Sequence, residues 1–364
     1  MTSTHHSLPI LAAVLRRRGG PFTIEPLEMD APREDEILVR VVASGVCHTD
    51  IAMADGWDGS IGPVVLGHEG AGIVEQVGAA VHGVHPGDHV VLSFASCGGC
   101  AACQAGRPAH CERLGELNFG FQRADGSNAL WRSNVRGHFF GQSSFATHVL
   151  ATERNTVVVD PDLPLETLAP LGCGMQTGAG AVLNSLNVPA GASLAILGTG
   201  AVGLAALMAG RIAGADPLIA VDRVPARLAL ARELGATQTV DTDARDLAAE
   251  LATIVPDGLQ VALDTTSVTA LRRAALQSLA PGGTLALVTG VGDLGPLPEG
   301  CMLCEVIEGD ADPREFIPRL ISLWQAGRFP YDRLIRSYPF EEINEAVAGS
   351  RSGATIKPVL RMEG

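Results

Sequence analysis

Apolar and polar positions follow two regimes along the chain. In the first, short apolar runs are cut by Gly, Pro and Asp. From Ile37 to Ser44, "ILVRVVAS" is rich in β-branched residues and predicts a strand. "GHEGAGIVEQVG" and then "HPGDHVVLSF" predict further short strands separated by turns. Up to about residue 170 the pattern predicts a compact, partly barrel-like β domain. From about Thr177 the second regime begins, and apolar strands alternate with alanine-rich helices. "SLAILG" predicts a buried strand, and "AVGLAALMAGRIAG" a helix with small residues for packing on a sheet. "PLIAVD" predicts the next strand and "PARLALARELGA" the next helix; "LQVALDTT" and "GTLALVTG" predict further strands. Such alternation predicts a parallel, doubly wound sheet. After about Glu305 the alternation stops. There "PREFIPRLISLWQAGRF" and "PFEEINEAVAGSRSG" predict helices, and "TIKPVLRM" a closing strand.

Composition narrows the function. The chain has 364 residues, enough for two domains, and 46% of them are hydrophobic. Aromatics are only 4%, so Val, Leu, Ala and Ile must form most of the core. A net charge of -14 argues against a nucleic-acid partner, which needs a clustered basic surface. Lys357 is the only lysine among 26 basic residues. No segment is long and apolar enough for a bilayer, so no membrane association is expected. The run in "MTSTHHSLPILAAVLRRRGG" precedes its arginines, the reverse of a secretory signal, so a cytoplasmic protein is expected. In such a chain the eight cysteines are expected to bind metal or stay reduced.

"GTGAVG", Gly198 to Gly203, matches the G-x-G-x-x-G pattern, which in a chain with 43 glycines is weak by itself. Its context is specific: it follows a predicted strand and opens a predicted helix. Gly198 permits the tight turn, Gly200 lets backbone approach a pyrophosphate, and Gly203 lets helix and strand pack. Asp222 ends the next strand, where an acid bonds the adenosine ribose and repels a 2′-phosphate. That favours NAD over NADP, although Arg223 beside it could accept a phosphate. The competing reading is a structural glycine turn in an ordinary α/β domain.

Cys97, Cys100, Cys103 and Cys111 lie within fifteen residues, "CGGCAACQAGRPAHC". Four thiolates so close suit a tetrahedral structural zinc; the alternative is a loop of reduced cysteines. "GVCHTD" holds Cys47, which in isolation reads better as a buried apolar thiol than as a metal ligand.

These pieces together carry a family resemblance. "GVCHTD", "GHEGAG", the cysteine lobe, "LGCGMQTGAG", "GTGAVG" with Asp222 and the closing "SGATIKPVL" resemble the zinc-dependent medium-chain alcohol dehydrogenases over nearly the full length. "FGQSSFATH" and "IEGDADPREFIPRL" look most like the aryl-alcohol (benzyl-alcohol) dehydrogenase branch. The resemblance implies an α/β architecture: a GroES-like β-rich catalytic domain, 1–174 and 307–364, and a Rossmann doubly wound coenzyme domain, 175–306. The structural zinc lobe spans about 95–113. It implies two zinc ions per chain, NAD, a homodimer or homotetramer, and a small alcohol or aldehyde as substrate.

Residue by residue, the resemblance makes Cys47, His68 and Cys173 the catalytic zinc ligands. Glu69 is the acid that can approach the metal, and Asp50 orients His68. Thr49 takes the substrate proton and passes it to the cofactor ribose. His48, Thr177, Arg227 and Lys357 become cofactor contacts, Lys357 at the pyrophosphate. Two positions depart from the family. Ala52 stands where better-known members end the proton relay with a histidine, and His48 stands where an arginine often faces the pyrophosphate. Trp57, Phe94, Phe119, Phe121 and Phe140 are candidates for the substrate pocket. A thiol-adduct formaldehyde dehydrogenase and a non-catalytic NAD- or zinc-binding relative remain alternatives. His82, His85 and His89 read as loop and surface residues.

Overall fold

In the computed structural model, which describes residues 7–131, 134–292 and 294–362, β structure begins earlier than the pattern predicts. The N-terminal apolar run is strand β1 (Ser7–Leu15), paired antiparallel along its whole length with β2 (Phe22–Asp30). Ala12, Ala13, Val14 and Leu15 are fully buried. An apolar run gains its stability by such burial. There follow β3 (Glu36–Gly45), β4 (Val64–Val65), β5 (Glu69–Val77), β6 (His89–Leu92), β7 (Leu130–Trp131), β8 (His148–Thr152) and β9 (Thr156–Val159). "ILVRVVAS" lies inside β3, whose Ile37, Val39 and Val41 are buried. His89 starts β6 and is a strand residue, unlike the exposed His82 and His85.

The second unit alternates as predicted. Its strands are β10 (Leu194–Leu197), β11 (Leu218–Asp222), β12 (Gln238–Asp241), β13 (Leu259–Asp264), β14 (Leu279–Leu287) and β15 (Met302–Glu305). All pair in parallel, in the order β12-β11-β10-β13-β14-β15. This is the doubly wound order in which the chain reverses direction beside β10. All four residues of β10 are buried. At the edge β15 extends the sheet, and its Cys304 pairs with Ala286. An edge strand needs one neighbour only, so four residues suffice.

The chain then forms β16 (Ile335–Pro339) and β17 (Lys357–Arg361), which complete the sheet built on β3. Its order is β16-β17-β3-β5-β6-β9, with β8 also paired to β3. A second antiparallel sheet runs β4-β1-β2-β7. One compact unit comprises residues up to Cys173, Asp312–Ile321 and the chain from Asp332; the other comprises Gly174–Ala311 and Ser322–Tyr331. Residues 307–311 and 322–331 thus group with the parallel sheet, not with the β-rich unit as expected. For 307–311 the cause is close packing: Asn184 Nδ2 donates to Gly309 O at 3.2 Å, and a Cβ on Gly180 would lie 2.3 Å from that oxygen. No helix among the described residues is long and apolar enough to cross a membrane.

Candidate metal centre and dinucleotide turn

β3 and β5 run antiparallel with Gly45 opposite Glu69. That register brings the residues just after β3 beside those just before β5. Cys47 follows β3 as the N-cap of helix His48–Gly56, and His68 immediately precedes β5. Cys173 arrives from the end of the 3₁₀ turn Ala169–Gly172. The donor atoms of Cys47, His68, Glu69 and Cys173 all lie within 4.8 Å of one another, and all four residues are buried. Gly45 is required by this approach, since a Cβ there would lie 2.0 Å from Glu69 Oε2.

Asp50 fixes the imidazole. Its Oδ1 accepts from Gly67 N at 3.0 Å and lies 2.9 Å from His68 Nδ1; its Oδ2 accepts from Cys47 N at 2.9 Å. A carboxylate only accepts, so Nδ1 is the protonated nitrogen in that bond and Nε2 is the one left for a metal. His68 Nε2 is buried and makes no hydrogen bond. The hydrogen bond with Cys173, aided by His68 and Lys357 against burial, holds the Cys47 thiol well below its ordinary pKa. A ready thiolate and an orphaned imidazole nitrogen fit a zinc ion, which would satisfy both. Gln142, absent from the sequence-based candidates, braces this end of β5. Its Oε1 accepts from Gly70 N at 3.0 Å, and its Nε2 donates to His68 O at 3.0 Å and Ser93 O at 3.1 Å.

Glu69 is held by Lys357, whose Nζ donates to both carboxylate oxygens at 2.8 and 2.9 Å. Lys357 is only 1% exposed. Burial favours its neutral form, but Glu69 and then Cys47 raise its pKa above the usual lysine value. The pyrophosphate contact implied for Lys357 therefore meets an ammonium already engaged within the chain. Thr49 Oγ1 lies 3.8 Å from Cys47 Sγ and is half-buried, while His48 and Ala52 are exposed on the same helix.

An aromatic wall leads away from His68. Phe140 stacks on the imidazole with centroids 4.5 Å apart, and Phe139 meets it edge-on at 5.5 Å. Phe119 contacts Phe140 at 5.1 Å, Phe121 stacks on Phe139 at 5.3 Å, and Trp57 contacts Phe121 at 5.3 Å. Phe139, which joins them, was not among the sequence-based candidates. Phe94 makes none of these ring contacts, though it shares the hydrophobic core with Trp57, Phe121, Phe139 and Phe140. Phe140 has a left-handed backbone, φ 54°. Strain of that kind in a non-glycine residue clusters at functional sites.

In the cysteine lobe the ligand atoms of Cys97, Cys100, Cys103 and Cys111 also lie within 4.8 Å of one another. All four are free thiols. Cys97 N donates to Cys111 Sγ at 3.2 Å and Cys100 N to Cys97 Sγ at 3.4 Å. Backbone donors, Cys103 first, draw the Cys100 thiol down to about 6, while burial pushes Cys111 up to about 12. Four adjacent sulfurs cannot all ionise without a cation between them, and zinc is the cation suited to such a set. Cys100→Ser is expected to remove one zinc per chain and lower Tm by at least ~5 °C, taking ~2–4 °C per kcal/mol lost. Metal analysis with calorimetry checks this; an unchanged Tm and zinc count would contradict it.

In the other unit, Gly198 adopts φ +92° after β10, and Gly200 caps helix Ala201–Ala213. A Cβ on Gly203 would lie 1.8 Å from Gly198 O, so only glycine permits this strand–helix approach. A Cβ on Gly200 would meet nothing within 4 Å, which leaves its backbone open to a phosphate at a helix N-terminus. Asp222, the last residue of β11, accepts from Thr199 N and Thr199 Oγ1, each at 2.7 Å. It also accepts from Arg223 N at 2.8 Å and Val224 N at 3.0 Å. Burial raises its pKa, but these donors, with the charge of Arg227, outweigh it and the net shift is downward. Arg227 lies in the first turn of helix Pro225–Leu234. Thr177 lies on helix Gly174–Gly180, its Oγ1 3.5 Å from Glu308 Oε2.

Comparison with known proteins adds independent findings. Residues 33–161 match the family model of the alcohol dehydrogenase GroES-like domain, and residues 201–303 match that of zinc-binding dehydrogenases. Geraniol dehydrogenase of Castellaniella defragrans is 46% identical over 99% of this chain and 100% of its own. The structure of an alcohol dehydrogenase zinc-binding domain protein from Burkholderia ambifaria superposes with TM-score 0.93 at 47% identity, covering 99% of this chain and all of that one. Benzyl alcohol dehydrogenase from Acinetobacter calcoaceticus gives TM-score 0.92 at 41% identity, covering 98% of this chain and 100% of the other.

Proposed function

Because this chain belongs to the zinc-dependent medium-chain alcohol dehydrogenase family, we propose that it oxidises primary aromatic and allylic alcohols to aldehydes with NAD as hydride acceptor. The observation that carries the reading is the convergence of two thiols with a buried His68 Nε2 that has no hydrogen-bond partner. The substrate class rests on the ring wall beside His68 and on the two relatives that act on geraniol and benzyl alcohol. In this reading Cys47, His68 and Cys173 hold a catalytic zinc, and Cys97, Cys100, Cys103 and Cys111 a structural one. When bound, the catalytic zinc supplies a Lewis acid for the substrate oxygen and NAD the oxidant. Asp50 keeps Nε2 aimed as a donor. Lys357 restrains Glu69, so the fourth donor of the cluster stays engaged elsewhere. Thr49 takes the hydroxyl proton of the alcohol. Gly198, Gly200, Gly203 and Asp222 hold the dinucleotide, with His48, Thr177 and Arg227 as further contacts. A homodimer or homotetramer is supported by the sheet edge at β15, where Met302 is 57% exposed.

The test is a kcat/KM panel followed at 340 nm. Benzyl alcohol and geraniol are expected to exceed ethanol by ~10–100-fold, the worth of burying a ring-sized apolar group. NAD+ is expected to be used much better than NADP+. Ethanol as the best substrate would sink the aromatic and allylic assignment. S-(Hydroxymethyl)glutathione as the best substrate would favour the thiol-adduct alternative, and a preference for NADP+ would overturn the ribose reading.

A further inference from the structure

The fingerprint turn holds a residue that the glycine pattern leaves blank. Thr199 is fully buried, and both its backbone N–H and its hydroxyl donate to the same oxygen, Asp222 Oδ2, at 2.7 Å. Asp222 Oδ1 accepts from Arg223 N at 2.8 Å and from Val224 N at 3.0 Å. A carboxylate offers about four lone-pair positions. Two donors on each oxygen fill them from within the chain. Three of the four donors are backbone groups fixed by the glycine turn and by the start of the next helix. Only the Thr199 hydroxyl belongs to a side chain, so it alone can be removed without moving the backbone.

We propose that the Thr199 hydroxyl is an affinity- and specificity-determining group that competes with the adenosine ribose for Asp222. The inference rests on the reading that Asp222 binds the ribose hydroxyls of NAD. A ribose hydroxyl reaching Asp222 is a fifth donor on a filled carboxylate. It must displace a bond already made or accept a poorer one. The chain thereby weakens its own hold on NAD and NADH. The phosphate on the ribose of NADP has no proton to give at that position. Competition by Thr199 therefore narrows the preference for NAD over NADP.

The test is NADH and NADPH binding to the zinc-loaded enzyme, read by protein fluorescence, for the wild type and three variants. Thr199→Val keeps the shape and removes the donor. Its NADH Kd is expected to fall about tenfold, the lower worth of one hydrogen bond to a charged group, while its NADPH Kd stays within about twofold of wild type by the same argument. Thr199→Ser keeps a hydroxyl and is expected to bind NADH like the wild type, a rescue that also guards against misfolding of the valine variant. Asp222→Gly is expected to weaken NADH binding. A purely structural role predicts the opposite sign: loss of the hydroxyl would loosen Asp222 and weaken NADH. Unchanged or weaker NADH binding by Thr199→Val, with Asp222→Gly impaired, overturns the proposal and leaves the ribose assignment standing. Unchanged NADH binding by Asp222→Gly overturns both.

Discussion

His68→Ala is expected to lower kcat/KM by at least ~10³-fold, since Lewis-acid stabilisation is worth several kcal/mol and each ~1.4 kcal/mol is tenfold. The variant is also expected to lose one zinc per chain and no more. The cysteine lobe has its own four sulfurs and no ligand from the His68 cluster. His68 is fully buried against Phe139 and Phe140, so alanine leaves a cavity and some loss of stability is expected. Circular dichroism and metal analysis on the same sample separate that loss from the chemistry. A folded His68→Ala protein with near-wild-type turnover and one zinc fewer would falsify the catalytic assignment.

Thr49→Ala is expected to cost ~10²–10⁴-fold in kcat, the usual worth of a lost proton-transfer step. Thr49 lies one turn before Ala52 on helix His48–Gly56, and Ala52 is exposed and has no group to receive a proton. Water or another group would then have to take the proton, and exit to water is the reading under test. His48 sits exposed at the start of the same helix, so His48→Gln is expected to alter the KM for NAD+ far more than kcat. Steady-state kinetics of the two variants decide between water and imidazole. If His48→Gln lowers kcat as much as Thr49→Ala does, His48 is the missing acceptor and the exit to water is wrong.

What the sequence makes legible follows the range of the interactions involved. β3, β10 and the helix Ala201–Ala213 declare themselves because their residues are chosen by local periodicity and burial. β1 does not, since an unbroken apolar run of that length fits several structures until its partner β2 is known. The cysteine lobe is legible because its four sulfurs are close in sequence. Cys47, His68 and Cys173 are not; only the resemblance joined them, and the register of β3 with β5 is the physical reason they meet. Lys357 is instructive. The resemblance implies a phosphate contact for it, but antiparallel pairing of β17 with β3 carries it to Glu69, nearly three hundred positions earlier in the chain. Thr199 and Gln142 left no signal, because a polar residue in a loop looks the same whether it faces water or a buried carboxylate.

That placement of Lys357 has a practical side. It is the chain's only lysine, and it is shut inside with its ammonium engaged. Acylating labels, amine cross-linkers and aldehyde resins therefore find no lysine on the folded surface. Coupling to a support or a dye is better directed at carboxylates, which number 40 against that single side-chain amine. Conversely, a lysine tag that does appear after such treatment reports that the β17 region has opened.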